Sequence, residues 1–172
     1  NATGGVNGRM IKLVVEDSGY DPKKGLLAAQ KMVQQDKIFA MVGTIGTPTA
    51  LPSMPILFEK NIPHLFPLTA ARQMYEPVHR LKYSIAAPYF DQMRAAVKYM
   101  VKNKGYKKVC TLYQDDDFGV EVMQGAEAGL KEINSGILWN LRSETRGPVA
   151  AQVAPAVQNA APAVHNADSD AR

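Results

Sequence analysis

The sequence has few of the features that mark several classes of protein. It has one cysteine, Cys110, which excludes a disulfide framework within the chain. No apolar run reaches the roughly 18 residues that a membrane-spanning helix needs, and no charged segment followed by an apolar run opens the sequence. The formal net charge is +4, and no basic run is interleaved with aromatic residues, so nucleic acid is excluded as a partner.

Strand-like and helix-like segments alternate over most of the chain. The 172 residues are 46% hydrophobic, which is enough for a globular core. Short apolar runs predict strands, and we expect Cys110 to be a small buried hydrophobe in the last of them. The predicted strands cover residues 10–17, 39–43, 62–69, 82–88 and 107–113. Strands this apolar, separated by helices, predict an α/β fold with parallel sheets that are covered on both faces.

Local signals predict where the helices begin. Asp21 followed by Pro22 is typical of an N-cap and a first helical residue. Thr47 is the predicted N-cap of a second helix, in which Pro52 and Pro55 predict a kinked or frayed element. Two further helices follow from apolar residues at helical spacing: Met93, Ala96, Val97, Met100 and Val101, then Val122, Ala126, Gly129, Leu130 and Ile133.

The composition changes abruptly from Gly147 onward. This last stretch has no aromatic residue, no Leu and no Ile, and it contains the near-duplicates APAVQNA and APAVHNA. Such a segment buries too little apolar surface to offset its chain entropy. We predict that the tail is disordered and that His165 is an ordinary solvated side chain.

Two loops that follow predicted strands are the candidate ligand site. In an open parallel sheet, ligands bind at the carboxyl ends of strands, where loops meet helix N-termini. Gly46 and Thr47 lie in one such loop, and their amides and hydroxyl suit a carboxylate, although Thr47 also suits a simple cap. Leu68, Thr69 and Ala70 lie in the other loop, beside the first if the two strands are neighbours. His64, within that strand, is interpreted as a satisfied or core-facing histidine rather than a catalytic one.

Three consecutive acids, Asp115, Asp116 and Asp117, open the last predicted helix. Their order does not match a calcium loop, and carboxylates favour a helix N-terminus, so we predict capping and first-turn roles for Asp116 and Asp117. Capping leaves Phe118 unexplained. Its ring either joins the core or forms an apolar wall over a bound ligand.

Several separated motifs resemble one family of binding proteins. GGVNGR before a strand, D-x-x-Y-D-P before a helix, P-H-L-F-P at a strand end and Y-x-x-D-x-F-G at another occur in this order. Together they resemble the leucine/isoleucine/valine-binding-protein-like family, the type I periplasmic solute-binding receptors of ABC importers. The resemblance covers residues 1 to about 135 and is expected to stop near Ser135.

The resemblance implies a three-layer αβα fold of two Rossmann-like lobes with a ligand between them. Residues 1–87 are then part of lobe 1, residues 88–140 begin lobe 2, and residues 141–172 form the low-complexity tail. The family binds an acidic head group on lobe 1 through loops matching Gly46, Thr47, Leu68, Thr69 and Ala70, with an aromatic at the place of Phe118 on lobe 2. Ala70 stands where a Thr is often found, so the side-chain contact of that Thr is not expected here. No catalysis, metal or cofactor is implied.

The resemblance also implies which parts of the family fold this sequence lacks. We expect the first strand, which lies in the middle of the lobe 1 sheet, and the C-terminal portion to be absent. The implied protein is periplasmic or extracytoplasmic, although the chain shows no export signal. We also expect the chain alone to bind ligand poorly, because the missing strand leaves unpaired backbone groups on two neighbouring strands.

The main functional hypothesis is a fragment of an importer's substrate-binding receptor. Its partners would be an amino acid or a small aromatic or aliphatic carboxylate, and a membrane permease. A ligand-sensing domain of a regulator or receptor with the same fold is the alternative. A different class, a Mg²⁺-dependent phosphoacceptor domain, rests on Glu16 and Asp17 at a strand end, and it is weakened because no lysine stands at the expected strand end.

Overall fold

The computed structural model describes residues 1–134 and 137–143. The chain divides into two compact units, unit 1 (Asn1–Pro88) and unit 2 (Tyr89–Arg172). Of the predicted tail, residues 141–143 lie in a strand, whereas residues 144–172, with His165, lie outside the described residues, so the prediction of disorder there stays open.

Unit 1 contains a three-stranded parallel sheet and two helices. The strand order is β1-β2-β3, with Met41 opposite His64 and Leu65 opposite Tyr83. Each strand has only two ladder residues, fewer than predicted, and Gly43 and Phe66 take positive φ values directly after β1 and β2. The elements are α1 (Pro22–Gln34), β1 (Met41–Val42), α2 (Thr47–Glu59), β2 (His64–Leu65), a 3₁₀ turn (Arg72–Met74) and β3 (Lys82–Tyr83).

Helix α1 begins as its sequence predicts. The Asp21 side chain accepts a hydrogen bond from the Lys24 amide, and Pro22 occupies the first helical position. Helix α1 packs against α2, and the core of unit 1 gathers side chains from both helices and from β1. Its buried members are Ala29, Met32, Val33, Met41, Leu57 and Ile62.

Helix α2 is continuous over 13 residues, so a frayed element is wrong, whereas the predicted kink stays a prediction. Pro52 and Pro55 remove two amide donors, but the helix is held by its burial instead. Ala50 and Leu57 are fully buried, and the Ser53 hydroxyl donates to the Ala50 carbonyl at 2.7 Å. Tertiary packing therefore outweighs the local effect of the two prolines.

Residues 10–17 form no strand within the described part of the chain, so that prediction is wrong. The Ile11 backbone is instead tied to the Asn1 side chain through two hydrogen bonds of 2.6 and 2.8 Å. Leu13 is 81% exposed, while Val14 packs against the unit 1 core. A strand needs a ladder partner, and no described residue supplies one to this segment.

Unit 2 contains two helices and a parallel pair of longer strands. The elements are α3 (Tyr89–Lys104), β4 (Lys108–Gln114), α4 (Asp117–Glu132) and β5 (Ile137–Ser143). Strands β4 and β5 pair in parallel over seven residues, from Lys108 opposite Ile137 to Gln114 opposite Ser143. Two positive-φ residues follow the helices, Gly105 after α3 and Asn134 after α4, as expected for helix C-termini.

Glycines allow α4 to approach its neighbours closely. A Cβ on Gly125 would lie 2.5 Å from the Phe90 carbonyl oxygen, and one on Gly129 would lie 2.7 Å from the Arg94 carbonyl oxygen. Gly119 plays the same role towards β4, because a Cβ there would lie 1.9 Å from the Gln114 carbonyl oxygen. The core of this contact consists of Val97, Ala126 and Leu130, with Met93, Val101, Val109 and Ile133 packed around it.

Cys110 is exposed, which corrects the prediction of a buried thiol. Successive side chains of a strand point to opposite faces. Val109 packs against the α3–α4 core and Thr111 is buried, so Cys110 and Leu112 point to the other face of β4, where both are exposed.

Parallel strands that alternate with helices confirm the α/β fold class.

Candidate functional site

The two candidate loops of unit 1 lie side by side. Ile45 and Leu68 form an isolated parallel bridge. The Gly46 amide donates to the Leu68 carbonyl at 3.2 Å, and the Leu68 amide donates to the Thr44 carbonyl at 2.8 Å. The ladder between β1 and β2 thus resumes beyond the strand ends and holds the two loops together.

Two buried threonine hydroxyls join the loops further. Thr47 Oγ1 and Thr69 Oγ1 are 2.7 Å apart, and both residues are buried. The Ala71 amide donates to Thr69 Oγ1 at 3.2 Å, so that hydroxyl also orders its own loop. A buried hydroxyl pair between two loops fixes their relative position.

Thr47 is not the N-cap of α2, which corrects the sequence prediction. Gly46 occupies the cap with φ 90° and ψ 146°, and it has no side chain with which to cap the helix. Its own amide is already used in the bond to Leu68. The first-turn donors of the helix are therefore the backbone amides of Thr47 and Thr49, since Pro48 has none.

Helix α2 also carries no acidic residue in its first turn. Helix α4 differs, because Asp116 Oδ1 accepts from the Gly119 amide at 3.0 Å and Asp117 follows in the first turn. The capping and first-turn roles predicted for Asp116 and Asp117 are confirmed. The partial positive charge at the N-terminus of α4 is thus compensated by its own acids, whereas α2 has no acid of its own there.

His64 lies under the first loop and is fully buried, as predicted for a core-facing histidine. Its Nε2 atom is 3.0 Å from Thr44 Oγ1. Burial lowers the pKa of His64 to about 4, so the ring is neutral at physiological pH. Within the described residues, Nδ1 has no hydrogen-bond partner. The neutral His64 ring thus helps to hold Thr44 and its loop in position.

The remaining predicted site residues differ in exposure and location. Leu68 is 53% exposed, whereas Ala70 is buried. Phe118 lies in unit 2, in the first turn of α4, and its ring packs edge-to-face on Tyr89 with centroids 4.9 Å apart. The structure therefore brings Gly46, Thr47, Leu68, Thr69 and Ala70 together in unit 1, and it places Phe118 in an aromatic pair of its own.

One residue at the loops was not found by sequence reasoning. A Cβ on Gly46 would lie 2.3 Å from Cε2 of Tyr20, so the ring of Tyr20 covers Gly46. Tyr20 lies in the loop between the predicted strand at residues 10–17 and α1, a loop that was not predicted to contribute to the site. Its position in the D-x-x-Y-D-P motif was the available signal.

The described residues contain neither a metal-binding cluster nor a helix that could span a membrane. No group of three or more His, Cys, Asp or Glu side chains there is placed to hold a metal ion. No helix in the same residues is both long and apolar enough to cross a membrane.

This chain is similar to known proteins in sequence and in fold. The chain is 29% identical over 133 residues to an amino acid binding protein of Pseudomonas aeruginosa, covering 77% of this chain and 36% of that protein. It is 23% identical to the Leu/Ile/Val-binding protein of Escherichia coli strain K12, covering 81% of this chain and 38% of that protein. This chain thus spans a little over a third of the length of these relatives.

A solved structure has the same fold. It is a substrate-binding periplasmic protein from Ralstonia solanacearum, which matches with a TM-score of 0.76 and 28% identity over 91% of this chain and 43% of that one. The profile of the periplasmic binding protein family matches residues 1–167, well beyond the limit near Ser135 expected from the motifs. The chain belongs to the periplasmic binding protein family.

Proposed function

We propose that the chain is part of an extracytoplasmic substrate-binding receptor of an ABC importer. Its ligand is an amino acid or a small aromatic or aliphatic carboxylate, and the ligand-bound receptor delivers it to a membrane permease. No covalent chemistry takes place, because such a receptor works by binding its ligand in a closed arrangement of two lobes. The names of the relatives, an amino acid binding protein and a Leu/Ile/Val-binding protein, support an amino acid as the ligand.

The joined loops of unit 1 are the observation that carries the proposal. Thr47 and Thr69 share a buried hydroxyl pair at 2.7 Å, and α2 begins beside them with no acid in its first turn. A ligand carboxylate would accept from the amides of Thr47 and Thr49 and compensate the positive end of the helix. Leu68 is exposed beside these groups and suits the apolar part of the ligand.

Phe118 supplies the apolar contact from unit 2 in this proposal. Its ring is only partly buried and rests edge-to-face on Tyr89, and the proposed ligand contact is with the part of the ring that stays exposed. An aromatic ring held in this way contributes apolar contact at little cost in side-chain entropy. The role assigned to Phe118 is the one that the family resemblance implies.

Calorimetry on the full-length gene product tests the ligand class. L-leucine, L-valine, benzoate and 4-hydroxybenzoate are the probe acids, and L-leucinamide and benzamide are the matched controls that lack the carboxylate. We expect at least one acid to bind and its amide to bind at least about tenfold more weakly, because a charge-assisted hydrogen bond contributes about 1.5 to 3 kcal/mol. Equal binding of acid and amide would contradict a carboxylate site.

A transport measurement tests the importer role separately. Deletion of the gene should lower uptake of the radiolabelled acid that binds best, and the gene supplied on a plasmid should restore it. A Phe118→Ala version should restore uptake less well than the unchanged gene. Uptake that is unaffected by the deletion would contradict the importer role while leaving the ligand class intact.

A further inference from the structure

The ring of Tyr20 lies directly against Gly46 at the start of α2. A Cβ added to Gly46 would lie 2.3 Å from Cε2, 2.9 Å from Cδ2 and 3.1 Å from Cζ of that ring. These distances are too short for any side chain at position 46. The ring therefore occupies the space that a side chain of the capping residue would otherwise fill.

Both residues of this contact have backbones that are unusual for their position. Gly46 has φ 90° and ψ 146°, a region open to glycine and strained for other residues. Tyr20 has φ 56°, which is uncommon for a bulky residue. The turn that holds Tyr20 is fixed locally, since Asp17 Oδ1 accepts from the Gly19 amide at 2.8 Å and Ser18 Oγ accepts from the Tyr20 amide at 3.3 Å.

Gly46 is the residue at which the loops and the helix meet. Its amide donates to the Leu68 carbonyl, and its carbonyl accepts from the Ala50 amide at 3.0 Å. A shift of Gly46 would therefore move both the neighbouring loop and the first turn of α2. The Tyr20 ring restrains this junction from the side on which Gly46 has no side chain.

We propose that Tyr20 is a positioning residue of the ligand site, whose ring clamps Gly46 and thereby fixes the amides of Thr47 and Thr49 for a ligand carboxylate. The contact between the ring and Gly46 carries this role. The inference rests on the proposed function, and it adds a third loop to the two that the site was built from.

Hydrogen exchange on the full-length protein tests the clamp without a ligand. Tyr20→Gly removes the ring and also relieves the backbone strain, so the variant is expected to fold. We expect amide exchange in residues 44–50 to be about tenfold faster in Tyr20→Gly, and unchanged in Tyr20→Phe and in the control Tyr83→Ala. Unchanged exchange in Tyr20→Gly would overturn the clamp.

A double-mutant cycle tests the direct contact between the two residues. Gly46→Ala should lower the melting temperature by more when Tyr20 is present than in the Tyr20→Gly background, since only the first case includes the clash with the ring. Equal losses in the two backgrounds would show that the ring and position 46 do not interact.

Calorimetry then links the clamp to the ligand. For whichever of L-leucine and benzoate the unchanged protein binds, Tyr20→Gly should raise Kd about tenfold and Tyr20→Phe should leave it unchanged. Faster exchange with an unchanged Kd would overturn the positioning role. If the unchanged protein binds none of the probe acids, the proposed function fails, whereas the exchange and cycle results still decide whether Tyr20 clamps Gly46.

Discussion

Residues 10–17 and strand β4 have similar apolar sequences but different structures. MIKLVVED and KKVCTLY both combine β-branched and apolar residues, and both are predicted strands. Strand β4 forms a seven-residue parallel ladder with β5 and receives α4 on one face. Residues 10–17 have no ladder partner among the described residues, and Ile11, Leu13 and Val15 remain exposed. A favourable composition thus permits a strand, but the partner decides whether one forms.

Proline substitutions should give the largest difference in unfolding free energy between the two segments. Successive amides of a strand point to opposite edges, so either Thr111→Pro or Leu112→Pro removes an amide that faces β5. We expect the more affected variant to lose about 3 kcal/mol of unfolding free energy, measured by urea denaturation. Lys12→Pro and Leu13→Pro are the matched controls and should each lose less than about 0.5 kcal/mol.

A large loss of unfolding free energy in Leu13→Pro would contradict this difference between the two segments. It would mean that residues 10–17 pair with a segment outside the described residues. Hydrogen exchange of Leu13 and its neighbours, measured in the same sample as β4, would then show protection in both segments.

Acid should lower the unfolding free energy of unit 1 because His64 is buried there. Strand β4 contains no histidine. The pKa of His64 is lowered to about 4 by burial, while its unfolded value is near 6.5. The unfolded chain therefore binds a proton that the folded one does not as pH falls from 6.5 to 4. Unfolding free energy should decrease over this window by on the order of 3 kcal/mol.

Urea denaturation at pH 7.0, 5.5 and 4.5 checks this expectation. The variant His64→Gln cannot titrate at this position, so its unfolding free energy should depend less on pH over the same range. An equal pH dependence in both proteins would show that burial of His64 does not link protonation to folding.

Side-chain truncations within residues 10–17 should give the smallest change in unfolding free energy. Val14 packs on the unit 1 core, whereas Leu13 is exposed. Val14→Ala should therefore cost about 1 kcal/mol, and Leu13→Ala should be neutral within about 0.5 kcal/mol. Equal effects in thermal denaturation would show that the segment is not anchored through Val14.

The features that local chemistry controls were predicted well. Asp21 and Asp116 cap their helices as expected, because an N-cap depends on a side chain reaching an amide two or three residues away. The neighbouring positions of the two site loops were also predictable, since the carboxyl ends of adjacent parallel strands lie at one edge of a sheet. The ligand-binding role of these residues stays a prediction.

The features that depend on distant residues were predicted poorly. Pro52 and Pro55 indicated a kinked or frayed element, yet α2 is continuous over 13 residues and is buried along one face. Cys110 was expected to be buried because its neighbours are apolar, but the opposite face of β4 is exposed. The contact of Tyr20 with Gly46 depends on how α1 packs against α2, and no local pattern contains that information.

The sequence by itself determined the α/β class and the N-caps of α1 and α4. These properties depend on hydrophobic periodicity and on hydrogen bonds between near neighbours, both of which are written in consecutive residues. Only the tertiary structure decided which apolar segments became strands, which residue caps α2 and which ring covers Gly46. Each of these outcomes depends on contact with residues that are distant in the chain. Such a contact contributes to the free energy of folding only when the fold has brought those residues together.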